Sequence, residues 1–552
     1  MCGIELLVSK NAEKQKDLFL KLFNNIKNRG PEDTKLVEKK LGNYQMLMGF
    51  QRLKINDTSN LGNQPFIYED ENIFISVMIN GEIYNHKEIE KYMKIKVKSH
   101  SDCESVLHML KYYLENKYDL NQMFELLDGV FAGIAIYHQK KSNSLWNIIA
   151  FRDRFGVRPL YYGETEESFA YSSELKGLVG LVDNIKQFPP GTFQYHRISE
   201  SYFGKGSNSF FNCQYPIKEL TTVNILNDIR ENFEKAVVKR MMSDRPMCCL
   251  LSGGLDSSLV ACVLAKYSKV PIHTFCVGMK GGEDFKYAKK VADHIKSVHH
   301  EIILTEKDFL DALPQVVKVI ETYDATTCRA STGQYLVSKY IKENTDFKVV
   351  YVGEGADELT GGYMYFHNAP NEKEFDRECK RLLKDIHYFD GKRSDRCISH
   401  FGLESRVPFL DKEFTQYYLS IDSKLRFHKL NGGEMNIEKY LLRKAFDIDN
   451  YLPNEILWRK KEAFSDGVSS KKRGWYQIIQ DHVKEKIGVE FLEMQKKYGY
   501  YLMPYNEELY YYRKLFEEHY PECELILPYF WLPRWSGNIT EASARVLSVY
   551  QE

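Results

Sequence analysis

Leu250-Leu251-Ser252-Gly253-Gly254-Leu255-Asp256-Ser257-Ser258 joins two segments of different rhythm. Before it, Met247 to Leu251 is a short apolar run with the composition of a buried strand, and after it Leu255 to Lys266 carries helical spacing. The alternation continues with a strand at His273 to Val277, a helix at Phe285 to Ile295 and a strand at Lys348 to Val352. That last strand opens onto Gly353-Glu354-Gly355-Ala356-Asp357-Glu358. Strands alternating with helices predict a parallel sheet. Glycines let a backbone approach phosphate closely, and a helix N-terminus offers unpaired N–H groups at its positive end. Ser252, Gly253, Gly254 and Ser257 are the donors such a loop needs, and Asp256 is a ligand for a divalent cation. No Gly-Lys-Ser/Thr occurs in the chain, so this is not the P-loop type of phosphate cradle. Two acidic, glycine-rich loops at strand ends converge on one side of a parallel sheet. Asp256 and Asp357 are thereby placed to share a divalent cation such as Mg²⁺.

Outward from this loop the chain divides. Residues 2–200 form a first domain rich in short strands, with Phe74 to Ile79, Val130 to Tyr137 and Trp146 to Phe151 as examples. Helical spacing at Lys14 to Lys27 and Cys103 to Leu114 makes it a layered α+β unit. Residues 201–220 lose all period and read as a linker. Residues 221–552 form the second domain, whose last part, from about 370, reads as mostly helical.

Bulk properties exclude several classes. Lys plus Arg and Asp plus Glu both number 76, so the formal charge is 0 and no polyanion such as nucleic acid is expected as a partner. With 43% hydrophobic residues the 552-residue chain can build large cores. Its longest apolar runs fall far short of the ~20 residues that span a bilayer, so no membrane partner is expected. The amino terminus lacks a secretory signal, and the 11 cysteines show no C-x-x-C spacing, which together indicate a reducing cytoplasm.

A second cluster lies at the amino terminus. Once Met1 is removed, Cys2 carries a free α-amino group that titrates near ~8 and can act as base for its own thiol. Arg29-Gly30-Pro31, Arg52, Asn80-Gly81-Glu82 and Ser101-Asp102-Cys103-Glu104 follow in order. Each has a plain alternative: Asn-Gly is a hairpin turn, Asp102 a helix cap, a lone Arg a solvated face. Taken together with Asp153 to Tyr161 and Ser172-Ser173-Glu174, they resemble the class II glutamine amidotransferases, which have an N-terminal-nucleophile fold of αββα layers. The resemblance implies that Cys2 attacks the glutamine amide and that Asn80 and the Gly81 N–H form the oxyanion hole. It further implies that Arg52 holds the glutamine carboxylate, while Glu82 and Asp102 hold its ammonium. The family's His-Arg-Gly-Pro-Asp reads Asn28-Arg29-Gly30-Pro31-Glu32 here, with Asp33 one residue late.

The Ser-Gly-Gly-x-Asp-Ser loop in turn resembles the ATP pyrophosphatases, which cleave between the α and β phosphates. With Glu321 to Asp324, Tyr365 to His367, Arg406 to Asp411 and Lys461-Glu462-Ala463-Phe464-Ser465-Asp466-Gly467, the whole chain is similar to the glutamine-hydrolysing asparagine synthetases. That resemblance implies ATP and Mg²⁺, a β-aspartyl-AMP intermediate, and the substrates glutamine, aspartate and ATP. It also leaves room for a homodimer. By position Leu250, Val277, Val352 and Gly353 correspond to adenosine contacts, Glu354 to the acceptor of a proton from ammonia, and Lys461 to the cation that steadies the phosphoryl group. Val352 stands where the family has Ser, and Phe401 where it has His. An amidotransferase-linked amide or β-lactam synthetase acting on another carboxylate is the alternative. A regulatory protein with dead sites would show damage among these residues, and Cys2, Asn80, Asp256, Glu354, Asp357 and Lys461 are all intact.

Overall fold

The computed structural model describes residues 1–140, 145–199, 202–217, 222–431, 436–448, 450–488, 490–537 and 539–551. The chain forms two units: Met1–Gln214 with Met242–Arg245 and Ser399–Leu403, and Tyr215–Met241 with Pro246–Ile398 and Glu404–Glu552.

The first unit holds strands β1 (Gly3–Ser9), β2 (Asp33–Leu41), β3 (Tyr44–Arg52), β4 (Phe66–Glu69), β5 (Ile73–Ile83), β6 (Gly129–Gln139), β7 (Trp146–Arg152), β8 (Tyr161–Glu164), β9 (Ser168–Ser172), β10 (Lys186–Gln187), β11 (Thr192–Ile198) and β12 (Phe203–Ser209). They make two antiparallel sheets, ordered β10-β8-β9-β1-β3-β2 and β12-β11-β7-β6-β5-β4. Alternation along the strands decides which side chains meet. Ile4, Leu6, Val8, Met46, Met48 and Met78 join Ile134, Ile136, Ile148 and Tyr171 in the core between the sheets. The opposite face of β5 and β6 presents Ile75, Val77, Ile79, Phe131 and Ala135 to Val106, Leu107 and Leu110 of the helix Glu104–Asn116. The helix Ala12–Asn25 covers the other sheet, where Gly49 of β3 admits the ring of Phe23. The result is the αββα layering expected from the sequence.

One expectation fails locally. Residues 203–209, read as linker, form β12 and pair antiparallel with β11 from Thr192↔Ser209 to Ile198↔Phe203. A Gly- and Ser-rich edge strand has no apolar period to announce it, and its backbone ladder to β11 supplies the order. Ser201 and residues 218–220 of the same stretch lie outside the described residues.

The second unit carries β13 (Met247–Leu250), β14 (His273–Met279), β15 (Val298–Leu304), β16 (Val349–Tyr351) and β17 (Glu404–Arg406). Their order is β15-β14-β13-β16-β17 and every neighbouring pair is parallel. The parallel sheet read from the sequence is therefore present. Helices Leu255–Tyr267, Glu283–His294 and Ala325–Asn344 provide the crossovers, and residues from 372 onward add a series of mostly short helices. Among the described residues no helix is long and apolar enough to cross a membrane.

Candidate active sites

In the first unit β1 and β5 place two groups side by side. Cys2 precedes β1, and its backbone N–H donates to Asn80 Oδ1 at 2.8 Å. The other end of that amide, Asn80 Nδ2, is buried with no hydrogen-bond partner among the described residues. An unmade donor costs ~1–3 kcal/mol when buried, and Asn80 Nδ2 is free to take an incoming hydrogen-bond acceptor as its partner. Gly81 next to it has φ +151°, and a Cβ there would lie 2.1 Å from Val130 O, so no other residue fits. Met1 is buried ahead of Cys2. Arg29, fully buried, donates from Nε to Cys2 O at 3.0 Å and from Nη1 to Glu174 Oε1 at 2.9 Å and Ser399 Oγ at 3.0 Å.

Glu82 and Asp102 are brought together by a residue that sequence reading missed. Asn56 Nδ2 donates to a Glu82 carboxylate oxygen and to Asp102 Oδ1 at 3.2 Å. Its NH₂ group occupies the kind of position an ammonium takes between two carboxylates. Asp102 Oδ2 also accepts from the Ile83 N–H at 2.6 Å. Arg52 is buried, and its guanidinium faces its own loop: Nη1 donates to Ser59 O and Asn63 Oδ1, both at 2.6 Å, and Nη2 to Asp57 O. Asp33 accepts from Asn63 Nδ2 at 2.6 Å, so it anchors the partner of Arg52. Asn28 meets His400, Nδ2 to Nδ1, at 3.4 Å.

In the second unit one cavity lies at the carboxyl ends of β13, β14 and β16. Leu250, Ser252, Gly254, Asp256, Ser257, Val277, Val352, Gly353, Glu354, Asp357 and Lys461 all line it. Gly253 does not. It has φ +73° and lies against Ala288, where a Cβ would meet the backbone nitrogen at 2.4 Å. Ser252 and Ser257 brace the loop, Oγ to Oγ at 3.1 Å, and Gly254 caps the helix that follows. The Gly353 loop touches the first one: a Cβ on Gly353 would stand 3.1 Å from Asp256 Cβ and Ser257 N.

Two ammonium groups sit between the two aspartates. Lys461 Nζ is 2.6 Å from Asp357 Oδ2 and 3.6 Å from Asp256 Oδ2. Lys439 Nζ lies 2.6 Å from Asp256 Oδ1 and 2.6 Å from Asp357 Oδ1. Burial opposes the charge on Lys461, but the two carboxylates outweigh it and hold its pKa above the usual lysine value. The same lysines hold Asp357 far below the usual carboxylate range in spite of its burial. Two carboxylates fit a Mg²⁺ ion whose remaining shell is water and phosphate oxygen, the usual arrangement for that ion. Among the described residues no trio of His, Cys, Asp and Glu forms an all-protein cage.

Deeper in the cavity Glu354 Oε1 accepts from Gln334 Nε2 and from Arg393 Nη1, each at 2.9 Å. Burial raises its pKa against the pull of Arg393. Arg393 also donates to Asp390 Oδ1 at 3.0 Å. Tyr363 OH lies 2.6 Å from both Asp390 Oδ2 and Glu358 Oε1. Burial, with Asp390 and Asp357 nearby, raises the pKa of Glu358 well above the usual carboxylate range. The pocket thus holds the cation Arg393 and the Asp390–Tyr363–Glu358 cluster alongside Glu354.

A family model for a glutamine amidotransferase domain matches residues 1–206, and one for asparagine synthase matches residues 228–376 and 368–545. The asparagine synthetases [glutamine-hydrolyzing] of Gallus gallus and Homo sapiens are each 40% identical, over 555 and 556 residues, covering 95% of this chain and 95% of their own. The chain belongs to the asparagine synthase family. A solved glutamine phosphoribosylpyrophosphate amidotransferase from B. subtilis shares 14% identity over 50% of this chain and 66% of its own, at a TM-score of 0.30. That likeness is too slight to add to the fold read from the strand order.

Against the asparagine synthase pattern, the late acidic residue Asp33 still reaches the Arg52 loop through Asn63. Val352 is buried, and its N–H donates to Arg406 O at 3.0 Å, so the backbone at that position is held without a hydroxyl.

Proposed function

We propose that this chain is a glutamine-hydrolysing asparagine synthetase. The observation that carries the reading is the cavity of the second unit, which gathers Asp256, Asp357, Lys461 and Glu354 from separate strand ends and loops.

Removal of Met1 frees the Cys2 amine, which takes the proton of its own thiol. The thiolate attacks the glutamine amide carbon, and Asn80 Nδ2 donates to the developing oxyanion together with the Gly81 N–H. The tetrahedral state collapses to a γ-glutamyl thioester and ammonia, and water releases glutamate. The substrate ammonium displaces the Asn56 amide from between Glu82 and Asp102. Its carboxylate falls to Arg52, whose guanidinium turns from its loop carbonyls to meet it.

In the second unit ATP lies over Leu250, Val277, Val352 and Gly353, with its phosphates on the Ser252–Ser257 loop. Asp256 and Asp357 would hold Mg²⁺, whose positive charge would be available to a pyrophosphate leaving group. The aspartate β-carboxylate attacks the α-phosphorus, and Lys461 steadies the charge that develops there. Ammonia then attacks the β-aspartyl carbon of the mixed anhydride. Glu354, its proton affinity raised by burial, takes a proton from the attacking nitrogen, and asparagine and AMP are released. Arg393 is a cation for the aspartate carboxylates. A cytoplasmic location fits the 11 free cysteines and belongs to the same proposal, as does a homodimer, which sedimentation will test.

The deciding experiment supplies ATP, Mg²⁺ and aspartate with either glutamine or ammonia and identifies the products by mass. Asparagine and AMP are expected from both nitrogen sources. Amidation of a different carboxylate in preference to aspartate would overturn the reading in favour of another amide synthetase.

A further inference from the structure

Residues 459–463 have no regular structure, yet Lys461 projects from them onto Asp357 at 2.6 Å. A run without helix or sheet bonds must be fixed by other partners. Arg459 ties its start, donating from Nη1 to Gly253 O at 3.1 Å. Beyond Lys461, Met279 N–H donates to Val468 O and Trp475 N–H to Ser469 Oγ, and the ties nearest to Lys461 come from residues 543–550. Arg545 donates from Nε to Glu462 Oε1 at 2.9 Å, and its Nη2 lies 2.7 Å from the same oxygen. The same guanidinium donates to Asp466 O and Ser470 O, each at 2.9 Å. Tyr550 OH donates to the second Glu462 oxygen, and Ser543 Oγ to Asp466 Oδ1 at 2.9 Å. Lys460 Nζ returns a bond to Tyr550 O at 3.2 Å. The side chains of Arg545 and Glu462 are each 9% exposed, so solvent screens their attraction weakly.

We infer that Arg545 and Tyr550 are positioning residues for the synthetase reaction: acting through Glu462, they hold the backbone from which Lys461 reaches the phosphate site. The inference rests on the reading of Lys461 given above. It concerns placement alone, since neither residue touches Asp256 or Asp357. One guanidinium thus binds the Glu462 side chain, next to Lys461, and the carbonyls of Asp466 and Ser470 on the segment that follows, which restricts where the Lys461 stem can start. A lysine at 545 would keep the charge but lose the fork.

The test uses the full chain as wild type, Arg545→Gln, Arg545→Lys and Tyr550→Phe. With ammonia as nitrogen source, Arg545→Gln lowers kcat by roughly ten- to a hundred-fold, the scale on which a small misplacement acts. KM for aspartate stays roughly unchanged. Arg545→Lys recovers part of the loss, Tyr550→Phe loses a few-fold, and glutamine hydrolysis is the same in all four. Hydrogen exchange gives the second readout. The amides of 462–470 exchange faster in Arg545→Gln, while those of 255–267 do not change. Wild-type kcat in both Arg545→Gln and Tyr550→Phe overturns the inference, and so does faster exchange spread over the whole unit. A wild type that makes no asparagine defeats the proposed function instead, and the exchange at 462–470 still decides whether Arg545 holds the loop.

Discussion

Lys439 Nζ lies 2.6 Å from both carboxylate oxygens of Asp256. Its side chain is 1% exposed, and it also reaches Asp357, so two would-be metal ligands already share a buried cation. Lys439→Met leaves the two carboxylates facing each other with only Lys461 between them. Losing one partner of a buried pair costs about 3 kcal/mol or more. In chelator-containing buffer Lys439→Met is expected to unfold at lower temperature than the parent, and Mg²⁺ is expected to raise its midpoint more than the parent's. Equal Mg²⁺ shifts in the two proteins would show that Lys439 and the metal do not compete for the same carboxylates.

Asn80 Nδ2 is the buried donor waiting beside Cys2. Asn80→Ala is expected to reduce kcat for glutamine hydrolysis by about 10²- to 10³-fold, the usual loss for one oxyanion donor. Cys2→Ala abolishes hydrolysis. Both variants keep asparagine formation from ammonia. Glutamate release and asparagine yield, measured on the same preparations, separate the two activities. An Asn80→Ala variant that hydrolyses glutamine at the parental rate rules out the oxyanion role.

Val352 lines the cavity between the β16 strand and Gly353, at the position where the family resemblance anticipates a serine. Val352→Ser restores one donor and is expected to lower KM for ATP by up to about tenfold, the equivalent of a single hydrogen bond of roughly 0.5–1.5 kcal/mol. Initial rates over a range of ATP at saturating aspartate and ammonia check it, and an unchanged KM would sink the idea.

Asp284 gives a pH signature. Burial pushes its carboxyl up to about 7 in spite of Arg459 nearby. The unfolded chain ionises near ~3.9, so between about pH 4 and pH 7 the unfolded state sheds a proton that the folded state keeps. Stability therefore falls as pH rises through that window. Loss of the Arg459 contact at 3.4 Å offsets part of the pH-dependent gain in a variant. Asp284→Asn should gain on the parent as pH rises from 4 to 8, read from the unfolding of the unit that carries it. A difference that stays flat across that range would mean the residue is ionised throughout.

The sequence made the strand–loop–helix units legible because a parallel sheet needs apolar runs in a fixed alternation with helices. Cys2, Asn80 and Asp256 could be singled out as candidates because their neighbours are locally unusual, whereas Glu354 and Lys461 were candidates only through the family resemblance. The cavity of the second unit brings Asp256, Glu354 and Lys461 together. Lys439, Arg393, Asn56 and Arg545 were not legible. Each is a single polar residue in a chain with 28% charged residues, and nothing local separates a buried Lys439 from a solvated one. Their roles exist only after residues 183 positions apart, as Lys439 and Asp256 are, come within 2.6 Å. The strand β12 was hidden for the opposite reason: its order comes from a backbone ladder that Gly and Ser can join without leaving a pattern.

The unit that holds Cys2 is discontinuous. Its buried Arg29, which steadies the Cys2 carbonyl, finds one of its partners in Ser399. At about 5–20 residues per second of synthesis, the stretch between residues 214 and 399 takes about ten to forty seconds to emerge. Through that interval the nascent amidotransferase lacks the segment 399–403. The nucleophile's surroundings are thus completed only after most of the second unit has been made. A fragment ending near residue 214 would represent this unfinished state and would lack part of the mature unit.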